Sequence, residues 1–249
     1  MDRPSPAVQD YLKAIYTVRE DDADADGPVT TSQVAEALGV TAASASNMLA
    51  RLDQLGYVAQ VKRHGVVLTD SGRTAALEVV RHHRLLESFR VDRLGLSWDV
   101  GHREAEVLEH HISETLEARI AEELGHPERD PHGHPIPSAS GAIPATRARR
   151  LSDVDDGVAG VVVSVSDHDP ALLRFLAELG LTPGRRVTVV GRAPFGGPIR
   201  MRVDDGAPVE VPPQAASAVQ DYLKAIYTVR EDDADADGPV TTSQVAEAL

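Results

Sequence analysis

TTSQVAEALGVTAASASNMLARLDQLGYVAQVKRHGVVLT, residues 30–69, decides what kind of molecule this chain makes. Thr30 and Gln33 stand at capping-box spacing, so a short helix opens here and stops at Gly39. A second helix opens at Thr41. It carries Met48, Leu49, Leu52 and Leu55 on one face, keeps its first turns small and polar, and ends at Gly56. YVAQVKRHGVVLT then reads as a hairpin turning at residues 62–65. Upstream, Val8, Leu12, Ile15 and Tyr16 recur at helical spacing between Ala7 and Arg19, before the acidic loop EDDADADGP. Helix, short helix, glycine turn, longer helix and hairpin is the winged helix-turn-helix order.

That order gives the small side chains a purpose. A helix that enters the major groove must approach it closely, and Ser, Thr and Asn near its start can bond base edges or phosphates. Thr41, Ala42, Ser44, Ser46 and Asn47, with Arg51 and the hairpin's Lys62 and Arg63, are the expected contacts to double-stranded DNA. The net charge of −14 argues against nucleic acid if taken as a single number. Its distribution argues the other way: between Gly39 and Thr69 the charged residues are Arg51, Lys62 and Arg63 against Asp53.

Composition narrows the chemistry. The 249 residues include no cysteine, which excludes disulfides, thiolate ligands and cysteine nucleophiles, so any metal sits on nitrogen and oxygen. No apolar run approaches the roughly 20 residues of a membrane span, and the N-terminus lacks a signal-peptide layout. A cytoplasmic protein is expected. Lys13, Lys62 and Lys224 are the only lysines, a pattern that suits a high-salt cytoplasm such as that of a halophilic archaeon, although a GC-rich genome also produces it.

Two long helices are expected next, from Ser71 to about Leu94 and from Trp98 to about Leu124, natural dimerisation elements beside a small DNA-binding unit. GHPERDPHGHPIPSASGAIPATRARR is rich in Pro, Gly and Ser and reads as irregular structure. Beyond Leu151, GVAGVVVSVS, RRVTVVGRA, IRMRVDD and PVEV, with one helix ALLRFLAELG, describe a small β barrel. The expected fold is mainly α with small β. Residues 1–70 form a winged helix-turn-helix domain, 71–140 a helical dimerisation and metal-binding domain, 141–150 a linker and 151–214 an SH3-like barrel.

The second of these helices carries GHREAEVLEHHISE, in which His102, Glu106, Glu109 and His110 at spacings of four, three and one fall on one side. On the preceding helix His83 and Glu87 are one turn apart. Carboxylates and imidazoles so concentrated compete for protons unless a cation sits among them, and a divalent metal is the economical answer.

QDYLKAIY, VRHHRLLE, EAEVLEHHISE and DPHGHPIP, in that order, resemble the diphtheria toxin repressor family of metal-dependent transcriptional regulators, and within it the manganese branch in its three-domain form. The resemblance runs from about residue 7 to 214. It implies a dimeric repressor on a palindromic operator that controls metal-uptake genes, with Asp10, His83, Glu106, Glu109 and His110 as the primary metal site. The positions of Asp10 and Glu106 hold Met and Cys in the iron branch. Carboxylates there suit Mn²⁺, with Fe²⁺ as the alternative. Lys13 stands where two-domain manganese regulators carry glutamate, which argues against a second ion beside the first. The resemblance also implies a second site from Glu87, His132 and Asp169, with Asp130 where some relatives have cysteine and His102 as an ancillary ligand.

Other readings fare worse. Asp22, Asp24 and Asp26 imitate a calcium loop, but Gln33 stands where a bidentate Glu is required. Neither long helix carries the Glu-x-x-His that a di-metal oxidase needs on facing helices, and no His-Glu-x-x-His serves a zinc hydrolase, so neither an enzyme nor a small-molecule substrate is expected. A metal-storage or structural metalloprotein leaves the winged helix unexplained. Residues 218–249 repeat 7–38 without a substitution, duplicating Asp10 as Asp221 but including no counterpart of residues 41–69. The segment 215–249 is therefore expected to be a frayed helical tail with no function of its own.

Overall fold

The computed structural model describes residues 3–21, 27–143, 151, 154–165, 170–195, 197–211 and 226–228. The calcium-like loop's Asp22, Asp24 and Asp26, the second-site candidate Asp169, most of the linker and most of the C-terminal repeat, Asp221 included, lie outside them. The chain divides into two compact units: Met1–Leu86 with Ala105–His126 and Ile136–Ile143, and Glu87–Glu104 with Pro127–Pro135 and Pro144–Leu249.

The first unit begins with α1 (Pro6–Asp21), α2 (Thr31–Ala37), α3 (Ala42–Gln54), β1 (Val58–Val61) and β2 (Gly65–Leu68). The helix starts lie where the caps demand. Thr30 and Gln33 form both bonds of a capping box, and the Thr41 hydroxyl accepts from the Ser44 backbone N–H. Gly39 and Gly56 follow at positive φ, 62° and 78°. β1 and β2 pair antiparallel, Val58 with Leu68 through Val61 with Gly65, and Val29 bridges to Val66. Gly65 is obligatory, since a Cβ there would stand 2.0 Å from the Val29 carbonyl oxygen. Val8, Leu12, Ile15 and Tyr16 of α1 close over Leu49, Leu52, Val58 and Val66 in one core. Leu55 departs from its expected place: it is the C-cap of α3 and is exposed.

α4 (Asp70–Leu94) is a single helix with an unusual share of buried polar groups: His82, His83, Arg84, Glu87, Ser88 and Arg90. The helix expected over 98–124 is two helices, α5 (Trp98–Leu108) and α6 (Glu114–Glu123). Ser113 causes the break. Its extended backbone (φ −88°, ψ 152°) and its side chain, which accepts from Leu116 N, start a new helix. Glu109 and His110 therefore lie in the intervening turn, and the single-helix face proposed for His102, Glu106, Glu109 and His110 does not exist. Val107 and Leu116 are exposed apolar side chains on α5 and α6.

The second unit contains β3 (Ala159–Val162), α7 (Pro170–Glu178), β4 (Arg186–Arg192), β5 (Ile199–Val203), β6 (Pro208–Val211) and β7 (Ile226–Thr228). They form one antiparallel sheet in the order β6-β5-β4-β3-β7, with a register shift between Val189 and Gly191. Its core gathers Val162, Leu173, Leu176, Leu181, Val189 and Met201. β7 is a correction to the helical tail: residues 226–228 pair antiparallel with residues 160–162. A strand edge offers unpaired backbone groups, and Ile-Tyr-Thr has the side chains that strands favour.

Candidate functional site

The turn after α5 brings two distant parts of the chain together. Asp10 of α1 places Oδ1 2.9 Å from Nε2 of His110, whose Nε2 is 3.6 Å from Oε1 of Glu109. Donor atoms of these three residues lie within 4.8 Å of one another. His83 reaches the group through Glu109, with Nδ1 2.5 Å from Oε2. Glu106 is exposed on α5.

Gln9 sets the chemistry of His110. The Gln9 amide oxygen is 2.6 Å from His110 Nδ1, so Nδ1–H donates to it and Nε2 is left facing two carboxylates. A proton or a divalent cation among them satisfies all three groups, and the oxygen and nitrogen donors suit a hard divalent ion. The Glu109 side chain has no solvent exposure. Burial alone raises its pKa, but the hydrogen bond from His83 and the charges of His83 and Lys13 outweigh burial and hold the carboxyl below the usual range. Lys13 Nζ donates to both oxygens, at 2.7 and 2.9 Å. Burial likewise pushes the Asp10 carboxyl up and, there, prevails over His110 and Lys13.

The back of the turn is held by residues that sequence reading missed. His82 Nδ1, which can only accept from the Arg3 guanidinium, lies 3.1 Å from the Glu109 carbonyl oxygen without a proton to offer it, so of the adjacent histidines of α4 it is His83 that grips residue 109, through its side chain. Arg3 donates to the Ile112 carbonyl at 2.9 Å, lies 2.9 Å from His82 Nδ1 and pairs with Glu78 at 3.4 Å. Glu78, His82 and Glu114 form a further acid-imidazole cluster, where Arg3 supplies the cation. His82 Nε2 also meets Glu117 Oε2 at 3.0 Å, and Arg81 pairs with the same carboxylate.

In the second unit, Glu87 Oε1 is 3.0 Å from His132 Nε2 and 3.4 Å from His102 Nδ1, and the Glu87 and His132 side chains are fully buried. Asp130 Oδ1 accepts from the backbone N–H of His132 and of His134, both at 2.9 Å, which folds residues 130–134 into a tight loop. Gly133 seats that loop, since a Cβ there would stand 1.9 Å from the Val163 carbonyl oxygen. His134, buried beside Asp130, went unremarked in the sequence, although the His-x-His spacing of DPHGHP marks it.

On the DNA-binding side, Ala42, Ser44, Ser46, Asn47 and Arg51 are exposed along α3, and Lys62 and Arg63 are exposed at the hairpin tip. Thr41 is also the cap of α3, and its hydroxyl donates to Ser44 Oγ at 3.0 Å. A cleft of about 330 Å³, lined by Thr30, Ser46, Gln60, Arg63 and His64 among others, opens between α3 and the hairpin.

Three family models match: the iron-dependent repressor N-terminal DNA-binding domain over residues 5–66, the iron-dependent repressor metal-binding and dimerisation domain over 69–138, and the FeoA domain over 149–220. The iron-dependent repressor IdeR of Mycobacterium bovis is 31% identical over 223 residues, 84% of this chain and 94% of that protein. The transcriptional regulator MntR of Geobacillus kaustophilus is 36% identical over 110 residues, 44% of this chain and 74% of that protein. A solved manganese-dependent transcriptional repressor in complex with manganese is 44% identical, with a TM-score of 0.80, over 89% of this chain and 100% of that one. With the DNA-binding, metal-binding and dimerisation, and FeoA models matched in that order and a repressor relative covered almost end to end, the chain belongs to the diphtheria toxin repressor, or iron-dependent repressor, family of metal-dependent transcriptional regulators.

Proposed function

We propose that the chain is a Mn²⁺-responsive repressor that binds a palindromic double-stranded operator as a homodimer and controls metal-ion uptake genes from the cytoplasm. One observation carries this reading. Asp10, on the first helix of the DNA-binding domain, meets Glu109 and His110, in the turn between α5 and α6, through oxygen and nitrogen donors alone. When bound, a divalent ion supplies the positive charge that lets these groups share one point. Asp10 then ties α1 to the turn, and Gln9 holds the His110 ring so that Nε2 faces it. Such a tie fixes the angle of each winged helix and hence the spacing of two recognition helices on two half-sites.

The proposed primary ligands are Asp10, His83, Glu106, Glu109 and His110. The proposed second set is Glu87, His102, Asp130, His132 and Asp169. DNA contacts are assigned to Thr41, Ala42, Ser44, Ser46, Asn47, Arg51, Lys62 and Arg63. The domain limits are 1–70, 71–140 and 151–214, with 141–150 as linker and 215–249 outside the working protein. Fe²⁺ is the second reading, supported by the likeness to IdeR. Asp10→Ala tests the tie: the variant is expected to fold, to dimerise and to bind operator only weakly with Mn²⁺. Operator binding with unchanged metal dependence contradicts it.

A further inference from the structure

Glu109 is held at once by groups from two helices. Lys13 Nζ bonds both of its oxygens, and His83 Nδ1 takes Oε2. Lys13 lies three residues after Asp10 on α1, so the ammonium and the Asp10 carboxylate approach the turn from the same helix face. We propose that Lys13 is a tethered cation that competes with the divalent metal for Glu109, and so sets the metal concentration at which the site fills. This rests on the metal-responsive reading above.

The argument is one of charge and occupancy. A buried carboxylate needs a positive partner in the metal-free protein, and Lys13 supplies it. An incoming ion needs at least one of the two oxygens that the ammonium now holds, and it arrives with the same sign of charge at close range. Lysine suits exchange: its charge is compact, its stem is flexible, and here the side chain keeps 19% of its exposure, which gives the displaced ammonium a way to water. The ion pair thus holds the ligand in place without metal and opposes the metal's arrival. A merely structural ion pair leads to the opposite expectation, that its loss loosens Glu109 and weakens metal binding.

The test is a Mn²⁺ titration of the metal-stripped full chain, with free Mn²⁺ read from its solution EPR signal. Wild type, Lys13→Met, Lys13→Gln and Lys13→Arg are compared, and Asp10→Ala protein is run in parallel to subtract sites that do not use Asp10. Lys13→Met, which removes a like charge at close range, is expected to bind on the order of ten-fold more tightly than wild type, and Lys13→Arg to stay near wild type. If Lys13→Met does not fold without metal, Lys13→Gln, which still donates to Glu109 but carries no charge, is expected to show the same gain. Neutral variants that bind Mn²⁺ no better than wild type, or a Lys13→Arg protein that gains as much as they do, overturn the proposal. Operator binding of the wild type is measured alongside. Its failure to respond to Mn²⁺ counts against the repressor reading, whereas a responsive wild type with unimproved neutral variants counts against the role of Lys13 alone.

Discussion

Glu117 shows what a single buried carboxylate does on α6. Burial pushes its pKa up, but the hydrogen bonds from His82 and Arg81 and the charge of Arg81 prevail and hold it below the ordinary value of 4.5. A depressed native pKa contributes stability that is complete above 4.5 and is lost as the pH falls through the native value. Glu117→Gln is therefore expected to cost about 1–3 kcal/mol at pH 7, and the gap from wild type should close as the pH falls well below 4.5. Urea unfolding of metal-free protein at several pH values checks this, and a gap independent of pH contradicts it. The candidate cluster was legible in part: Glu109 and His110 stood out by residue type and spacing, Asp10 came only through the resemblance, and the structure brings the three together. Gln9 and Lys13 had no local signal for their roles, because their partners His110 and Glu109 lie 101 and 96 residues away. His82 carried no local signal for the same reason, since its partner Glu117 lies 35 residues away.

The turn between α5 and α6 exists because Ser113 caps α6. Ser113→Ala is expected to cost about 0.5–2 kcal/mol and to weaken Mn²⁺ binding as well, since the loosened turn carries Glu109 and His110. Thr30→Ala removes a cap of the same kind from α2 and should cost similar stability while leaving Mn²⁺ affinity unchanged. Thermal melts and Mn²⁺ titrations of the two variants make the comparison, and equal effects on metal affinity would contradict it. Caps and stops at Thr30, Gly39, Thr41 and Gly56 were legible because each is a local signal. The α5–α6 break was not, since apolar spacing carried the eye past Ser113, although Glu114 and Glu117 after it are typical of a helix start. The repeat shows the limit of local signals most plainly. Ile15, Tyr16 and Thr17 are helical in α1, whereas the identical residues 226–228 form β7 against β3. Tertiary context decides between the two.

Across the whole molecule, two features bear on operator binding. The first is charge: in a chain of net −14, the proposed DNA contacts Arg51, Lys62 and Arg63 form a local excess of positive charge. Affinity should fall as salt rises, and Lys62→Ala should flatten that dependence by roughly one phosphate contact. The second is the C-terminal segment. Its one described strand lies at the sheet edge, and the proposed DNA contacts and primary ligands all lie between residues 10 and 110. Removal of residues 215–249 is therefore expected to leave metal-dependent operator binding unchanged. The organisation into helix-turn-helix, metal-binding helices and small sheet was legible from the order of patterns along the sequence. The division of α4 between two compact units was not, because it depends on contacts far apart in the chain. The most direct test of the central claim is fluorescence anisotropy of a labelled promoter fragment from a manganese-uptake gene, titrated with metal-stripped protein in salt-matched, anaerobic buffer with Mn²⁺, Fe²⁺, Zn²⁺ or no metal. The account predicts weak binding without metal and the largest tightening with Mn²⁺, whereas an affinity indifferent to every metal would contradict it.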